Sequence, residues 1–137
     1  MFFDKKKETE DNNSHYVKIA ALLIHAAKID DNFSSKEEKI IIEFIKKFFK
    51  NEEEINKIFK NAIKTESDSN QLLSFTNIIK KNSMESKSLV VKELWKILIS
   101  DQNVDEYESN LMRRVCGLIY FPDKLSGEIK LSLLKKQ

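Results

Sequence analysis

Apolar residues recur along most of this chain at helical spacing, and polar clusters cut the pattern into six or seven segments. Ser14 is placed to cap a first helix that runs to about Ile29. Its apolar set (Val17, Ile19, Ala20, Ala21, Leu22, Leu23, Ile24, Ala26, Ala27) goes nearly all the way round, which predicts a central helix covered by its neighbours. The second segment carries Ile40, Ile41, Phe44, Ile45, Phe48 and Phe49 in two adjacent rows. A third opens at Asn51, with Glu54 three residues on, and shows Ile55, Ile58, Phe59, Ala62 and Ile63. "KTESDSN" then reads as a linker in which Ser67, Asp68 and Ser69 are all able to cap a fourth helix bearing Leu72, Leu73, Phe75, Ile78 and Ile79. After a break at "KKNSMES", a fifth holds Leu89, Val90, Leu94, Trp95, Ile97 and Leu98. The sixth carries Leu111, Met112, Val115, Cys116, Ile119 and Tyr120, and stops at "FPDK" because Pro122 cannot continue it. A short seventh has Ile129, Leu133 and Leu134.

Composition narrows the fold class. Two glycines and one proline in 137 residues are too few for the frequent turns of a sheet protein. The expectation is an all-α compact bundle of six to seven helices. Residues 1–13 are polar and unpatterned, and are expected to form a flexible arm ahead of one helical domain over 14–137. Lysines alternate with glutamates and the net charge is only +2, so no basic stripe marks a nucleic-acid partner. No apolar run approaches the roughly 18 residues of a membrane span, and the N-terminus lacks the apolar stretch of a signal peptide. The expected location is cytoplasmic.

Two stretches repeat each other. "KIDDNFSSKEEKI" (Lys28–Ile40) and "ISDQNVDEYESNL" (Ile99–Leu111) share the pattern Asp-x-Asn-x-(Ser or Asp)-x-x-Glu. The first set is Asp30, Asn32, Ser34 and Glu37; the second is Asp101, Asn103, Asp105 and Glu108, each 71 positions later. Leu23 and Leu94 precede the two aspartates by seven positions in matching apolar runs. Two related helix-turn-helix halves are the expected origin of the pattern.

The repeated loop has two readings. As a folding device, Ser34 with Glu37 and Asp105 with Glu108 have capping-box spacing. Asp30 and Asp101 would then bond amides within the turn, and Asn32 and Asn103 suit a left-handed backbone position. As a binding device, alternate Asp and Asn side chains offer hard oxygen ligands to calcium or magnesium, as the first positions of a calcium loop do. The match to an EF-hand ends there. Its sixth position requires Gly and holds Ser35 or Glu106; its twelfth requires Glu and holds Ile41 or Met112. If the two halves pack with approximate two-fold symmetry, the carboxylates of Asp30, Glu37, Asp101 and Glu108 converge on one ion. Both readings stay open at this point.

Chemistry beyond the loops is sparse. His15 and His25 lie ten positions apart on one predicted helix and do not face a common ligand, and His25 reads as a core-edge residue. Cys116, the only cysteine, sits on an apolar stripe without a basic neighbour in sequence and reads as an inert buried thiol. Trp95 and Phe75 have core spacing. No Gly-rich phosphate loop, nucleophile elbow or paired-His helix occurs, so an enzyme is not expected.

The residues also resemble a known family. "LLIHAAKIDDNFSSKEE", "LLSFTNIIKK" and above all "KELWKILISDQNVDEYESNLMRRV" are similar to TerB-like (tellurite-resistance protein B) domains of bacteria. The last stretch follows that family's order of Leu-Trp, Ala-Asp-Gly, Glu-Tyr-Glu and Arg-Arg-Val. The resemblance implies an all-helical domain of two related halves with an acidic region for divalent cations. It also implies a role in stress response and in protein complexes, some peripheral to membranes, rather than catalysis. The family's acidic positions fall on Asp30, Glu37, Asp101 and Glu108. Asp31 and Gln102 stand where the family has Gly, and Asn32 and Asn103 stand where a further acid is frequent, which implies weaker cation binding. Because TerB-like domains also occur joined to J-domains, a co-chaperone-type accessory domain working by protein contacts without metal is the alternative.

Overall fold

The computed structural model of the chain describes residues 9–29, 33–69, 71–100 and 106–136. Those residues form seven α-helices and one 3₁₀ turn, with no strand among them. The helices are α1 (Thr9–Ala27), α2 (Ser35–Lys46), α3 (Glu52–Asp68), α4 (Leu72–Thr76), α5 (Met84–Ile99), α6 (Glu106–Ile119) and α7 (Asp123–Lys135); the 3₁₀ turn is Ile79–Lys81. No helix among the described residues is long and apolar enough to cross a membrane.

The helix that is apolar all round is central. α1 packs against α2, α3, α4 and α5, and Ile19 through Leu23 are completely buried. Each such Leu or Ile contributes about 1.5–3 kcal/mol relative to exposure. α1 begins at Thr9, so Ser14 lies inside the helix and does not cap it. α5 is the second central helix, with Val90, Val91, Leu94, Trp95, Ile97, Leu98 and Ile99 buried. It packs on α1, α2, α6 and α7, which joins the halves through their two most apolar helices.

The 71-residue repeat extends from the loops to the helices. α2 and α6 open at Ser35 and Glu106, and α3 and α7 open at Glu52 and Asp123; both differences (106 − 35 and 123 − 52) equal 71. Within each half the first helix packs on the second and third, and the second on the third. α4 and the 3₁₀ turn lie between the halves in sequence and pack on α1 and α6 respectively.

Local chemistry explains most boundaries. Asn51 caps α3 by accepting from the Glu54 amide at 3.1 Å, and Ser83 caps α5 by accepting from the Ser86 amide at 3.1 Å. α3 runs through Asp68, so Ser67 and Asp68 lie in its last turn rather than capping α4. The expected linker is therefore helical over most of its length. Glu66 there continues the buried stripe of Ile55, Ile58 and Ala62, which holds the extra turn against α1.

The fourth helix is split. The Thr76 hydroxyl donates to the Leu72 carbonyl at 3.2 Å, Asn77 follows, and the chain tightens into the 3₁₀ turn. Both are weak helix formers whose side chains compete for backbone groups, yet Phe75 and Ile79 still reach the core. At the end of α6 the Phe121 amide donates to the Cys116 carbonyl at 2.8 Å and the Tyr120 amide to the Gly117 carbonyl at 3.4 Å. This is a Schellman cap with Tyr120 at φ 59° in the left-handed position, and Phe121 folds back into the core.

Candidate functional site

The first copy of the repeated loop ends in a complete capping box. Ser34 is extended (φ −82°, ψ 165°), its Oγ accepts from the Glu37 amide at 3.2 Å, and the Ser34 amide donates to Glu37 Oε1 at 2.7 Å. Glu37 is only 5% exposed. Its equivalent Glu108 is 4% exposed and is likewise the third residue of its helix. The two halves thus bury a carboxylate at the same place, one turn inside α2 and α6. Asp30, Asn32, Asp101, Asn103 and Asp105 lie outside the described residues. Among the described residues no three His, Cys, Asp or Glu side chains gather into a metal-sized cluster.

Two further buried carboxylates were not anticipated from the pattern. Glu66, on α3, takes Lys28 Nζ at 2.7 Å on one oxygen and His25 Nδ1 at 3.2 Å on the other, His25 from α1 and Lys28 from the residue that follows it. Glu93, on α5, takes Lys47 Nζ at 2.8 Å and Lys96 Nζ at 3.2 Å on the same oxygen. Their side chains are 4% and 2% exposed, while the lysines reach out to solvent. A charge buried this deeply requires such partners, and each carboxylate fixes one helix against another. Glu66 was visible as the continuation of the α3 stripe. For Glu93 the signal is an acid directly before the core residues Leu94 and Trp95 of α5.

His25 stands at the core edge as expected, hydrogen-bonded with Glu66 and with its ring 6.0 Å from that of Phe75. Cys116 is buried. Burial pushes its thiol above the ordinary value; a hydrogen bond with Ser126 lowers it again and the nearby Asp123 raises it, and the net shift is upward. The thiol therefore stays protonated near neutral pH, unlike a nucleophile. Ser126 also accepts from Trp95 Nε1 at 2.9 Å, and Lys130 lies over the Trp95 ring at 4.9 Å. Trp95 and Phe75 are core residues, as their spacing implied.

Residues 17–131 match the family model described as tellurite resistance protein TerB. No curated protein matches the chain, and no solved structure does.

Proposed function

The chain belongs to the TerB family of tellurite resistance proteins, and from that premise we propose that it is a non-enzymatic binding module of the stress-response type. In this reading it takes a divalent cation, calcium or magnesium, at its duplicated loops and works in the cytoplasm through protein partners, some of them in membrane-peripheral complexes. The observation that supports it is the extension of the 71-residue repeat to the openings of α2 and α6 and to the buried pair Glu37 and Glu108. Two carboxylates set at equivalent places, each seven positions after Asp30 or Asp101 in sequence, are oxygen ligands of the kind that a hard dication prefers. With Asn32 and Asn103 neutral, the affinity is expected to be weak, on the order of 0.1–1 mM. The absence of catalysis is supported by Cys116 being a buried neutral thiol and by His25 being engaged with Glu66.

One observation favours the metal-free alternative. Glu37 Oε1 already accepts from the Ser34 amide, so one of its oxygens is spent on the cap. A co-chaperone-type accessory domain, acting by protein contacts alone, needs nothing more from the loops. Thermal melts with calcium or magnesium at fixed ionic strength separate the two readings. The cation reading expects stabilisation that grows with the logarithm of free ion, about 1.4 kcal/mol at ten times the dissociation constant, and none in Asp101→Asn. An unchanged melting temperature, or an equal rise in the variant, would leave the loops as caps and turns.

A further inference from the structure

A cleft opens where the N-terminal part of α2 meets the C-terminal end of α5 and α7. Its volume is about 370 Å³, within the range of small-molecule sites. Ile40, Ile99 and Leu133 make an apolar floor, and the ammonium-bearing side chains of Lys36, Lys39 and Lys96 line it. No carboxylate lines it among the described residues. Lys36 and Lys39 are exposed and form no ion pair among those residues. Lys96 shares the Glu93 carboxylate with Lys47, so that group of three keeps a net positive charge.

A cleft lined by apolar side chains and three lysines is complementary to a molecule with an aliphatic body and an anionic end. Two lysine ammoniums without a carboxylate partner among the described residues also give the anion charge-assisted hydrogen bonds. The opening of α2 adds to this, because Lys36 lies in its first turn, where the helix dipole favours negative charge. The proposal does not rest on the cation reading above, since recognition by Lys36, Lys39 and Lys96 needs no metal ion. We propose that this cleft binds a free aliphatic carboxylate, with the tail on Ile40, Ile99 and Leu133 and the carboxylate between Lys36 and Lys39.

The test is calorimetric titration of the full chain with decanoate in the presence of a chelator, so that no divalent ion bridges the carboxylates. Acetate supplies the head alone and decanol the tail alone. Decanoate is expected to saturate one site, with both fragments at least about tenfold weaker. Lys36→Gln combined with Lys39→Gln should weaken decanoate about tenfold or more at unchanged helicity. Lys57→Gln combined with Lys60→Gln, on exposed positions of α3, makes the same charge change away from the cleft and should leave binding as it was. The proposal is overturned if decanoate does not bind, if decanol binds as tightly, or if the two double variants behave alike. Binding to phosphatidylglycerol vesicles without binding to free decanoate also overturns it, because the lysines would then be reading a membrane surface.

Discussion

The two halves share a frame and differ in what locks the third helix. In the first half α3 is 17 residues long and lies along α1 with Ile55, Ile58 and Ala62 buried. Glu66, ion-paired with Lys28 and hydrogen-bonded with His25, ties its last turns to the C-terminal end of α1. In the second half α7 has 13 residues, and only Ser126 among them is buried. Leu125, Leu131 and Leu134 remain exposed, and Trp95 of α5 links to α7 by donating to Ser126 and by lying under Lys130. A duplicated pattern therefore fixes where helices begin and which one is central, while each half closes its own seam with different chemistry. The divergence is in the outer helices, α3 and α7, which each pack on the other two helices of their half.

Equivalent core positions test whether the halves also share their energetics. Leu23 and Leu94 are 71 positions apart, and both are completely buried in the central helices. Leu23→Ala and Leu94→Ala should each cost about 2–5 kcal/mol, and their denaturant midpoints should fall by similar amounts. A cost below about 1 kcal/mol at Leu94 alone would mean that the second half relaxes around the cavity and is the looser unit.

The next difference is read by pH. Tyr16, in α1, packs on Phe48 and Phe49 at ring distances of 4.7 and 5.1 Å, whereas the second half has Lys87 at the equivalent place. Burial pushes the Tyr16 phenol from 10.0 up to about 12. Below pH 10 the phenol is protonated in the folded and unfolded chain alike, so its contribution is fully present. Above that the unfolded chain gives up a proton that the folded chain keeps, and stability falls by up to about 1.4 kcal/mol per pH unit. The fall ends as the pH passes the folded value near 12. Subtracting the profile of Tyr16→Phe isolates this component, because the other tyrosines and the lysines titrate in both proteins. A difference profile that stays flat from pH 9 to 12 would show that the ring is reached by water.

Capping gives a smaller and paired comparison. Ser34→Ala removes an observed box and should cost about 0.5–2 kcal/mol. Asp105→Ala should cost the same if the second loop repeats the first. A loss at Ser34 with none at Asp105, measured by urea midpoints, would confine the box to the first half and leave Asp105 available for another task.

How much of this was legible follows from where each signal resides. The all-round apolar run announced α1, helical spacing of apolar residues announced α5, and capping spacing announced the openings of α2 and α3, because these are local in sequence. The extent of α3 was missed at "KTESD", since a charged residue inside a stripe looks like a linker until its partner is known. Lys28 and His25 stand 38 and 41 positions from Glu66, and Lys47 stands 46 positions from Glu93. Only the fold brings them together. Ile63 and Leu134 show the opposite limit, being apolar residues at helical spacing that end up exposed because no neighbour covers that face.

The end of α6 supplies the smallest effect. Gly117 lies inside the helix, where a glycine costs about 0.5–1 kcal/mol relative to alanine, and a Cβ added there meets nothing within 4 Å. Three residues later Tyr120, 70% exposed, occupies a left-handed position at φ 59° that glycine takes without strain. The preferences of the two positions are thus the reverse of what they hold. Gly117→Ala and Tyr120→Gly should each raise stability by about 0.5–1 kcal/mol, read as higher denaturant midpoints with an unchanged slope. Both changes act on one cap, so the double variant measures whether they are independent. If Tyr120→Gly is neutral or destabilising, the exposed ring must recover the strain through contacts on the surface of α6. The second half would then be closed by its cap as well as by Trp95 and Ser126.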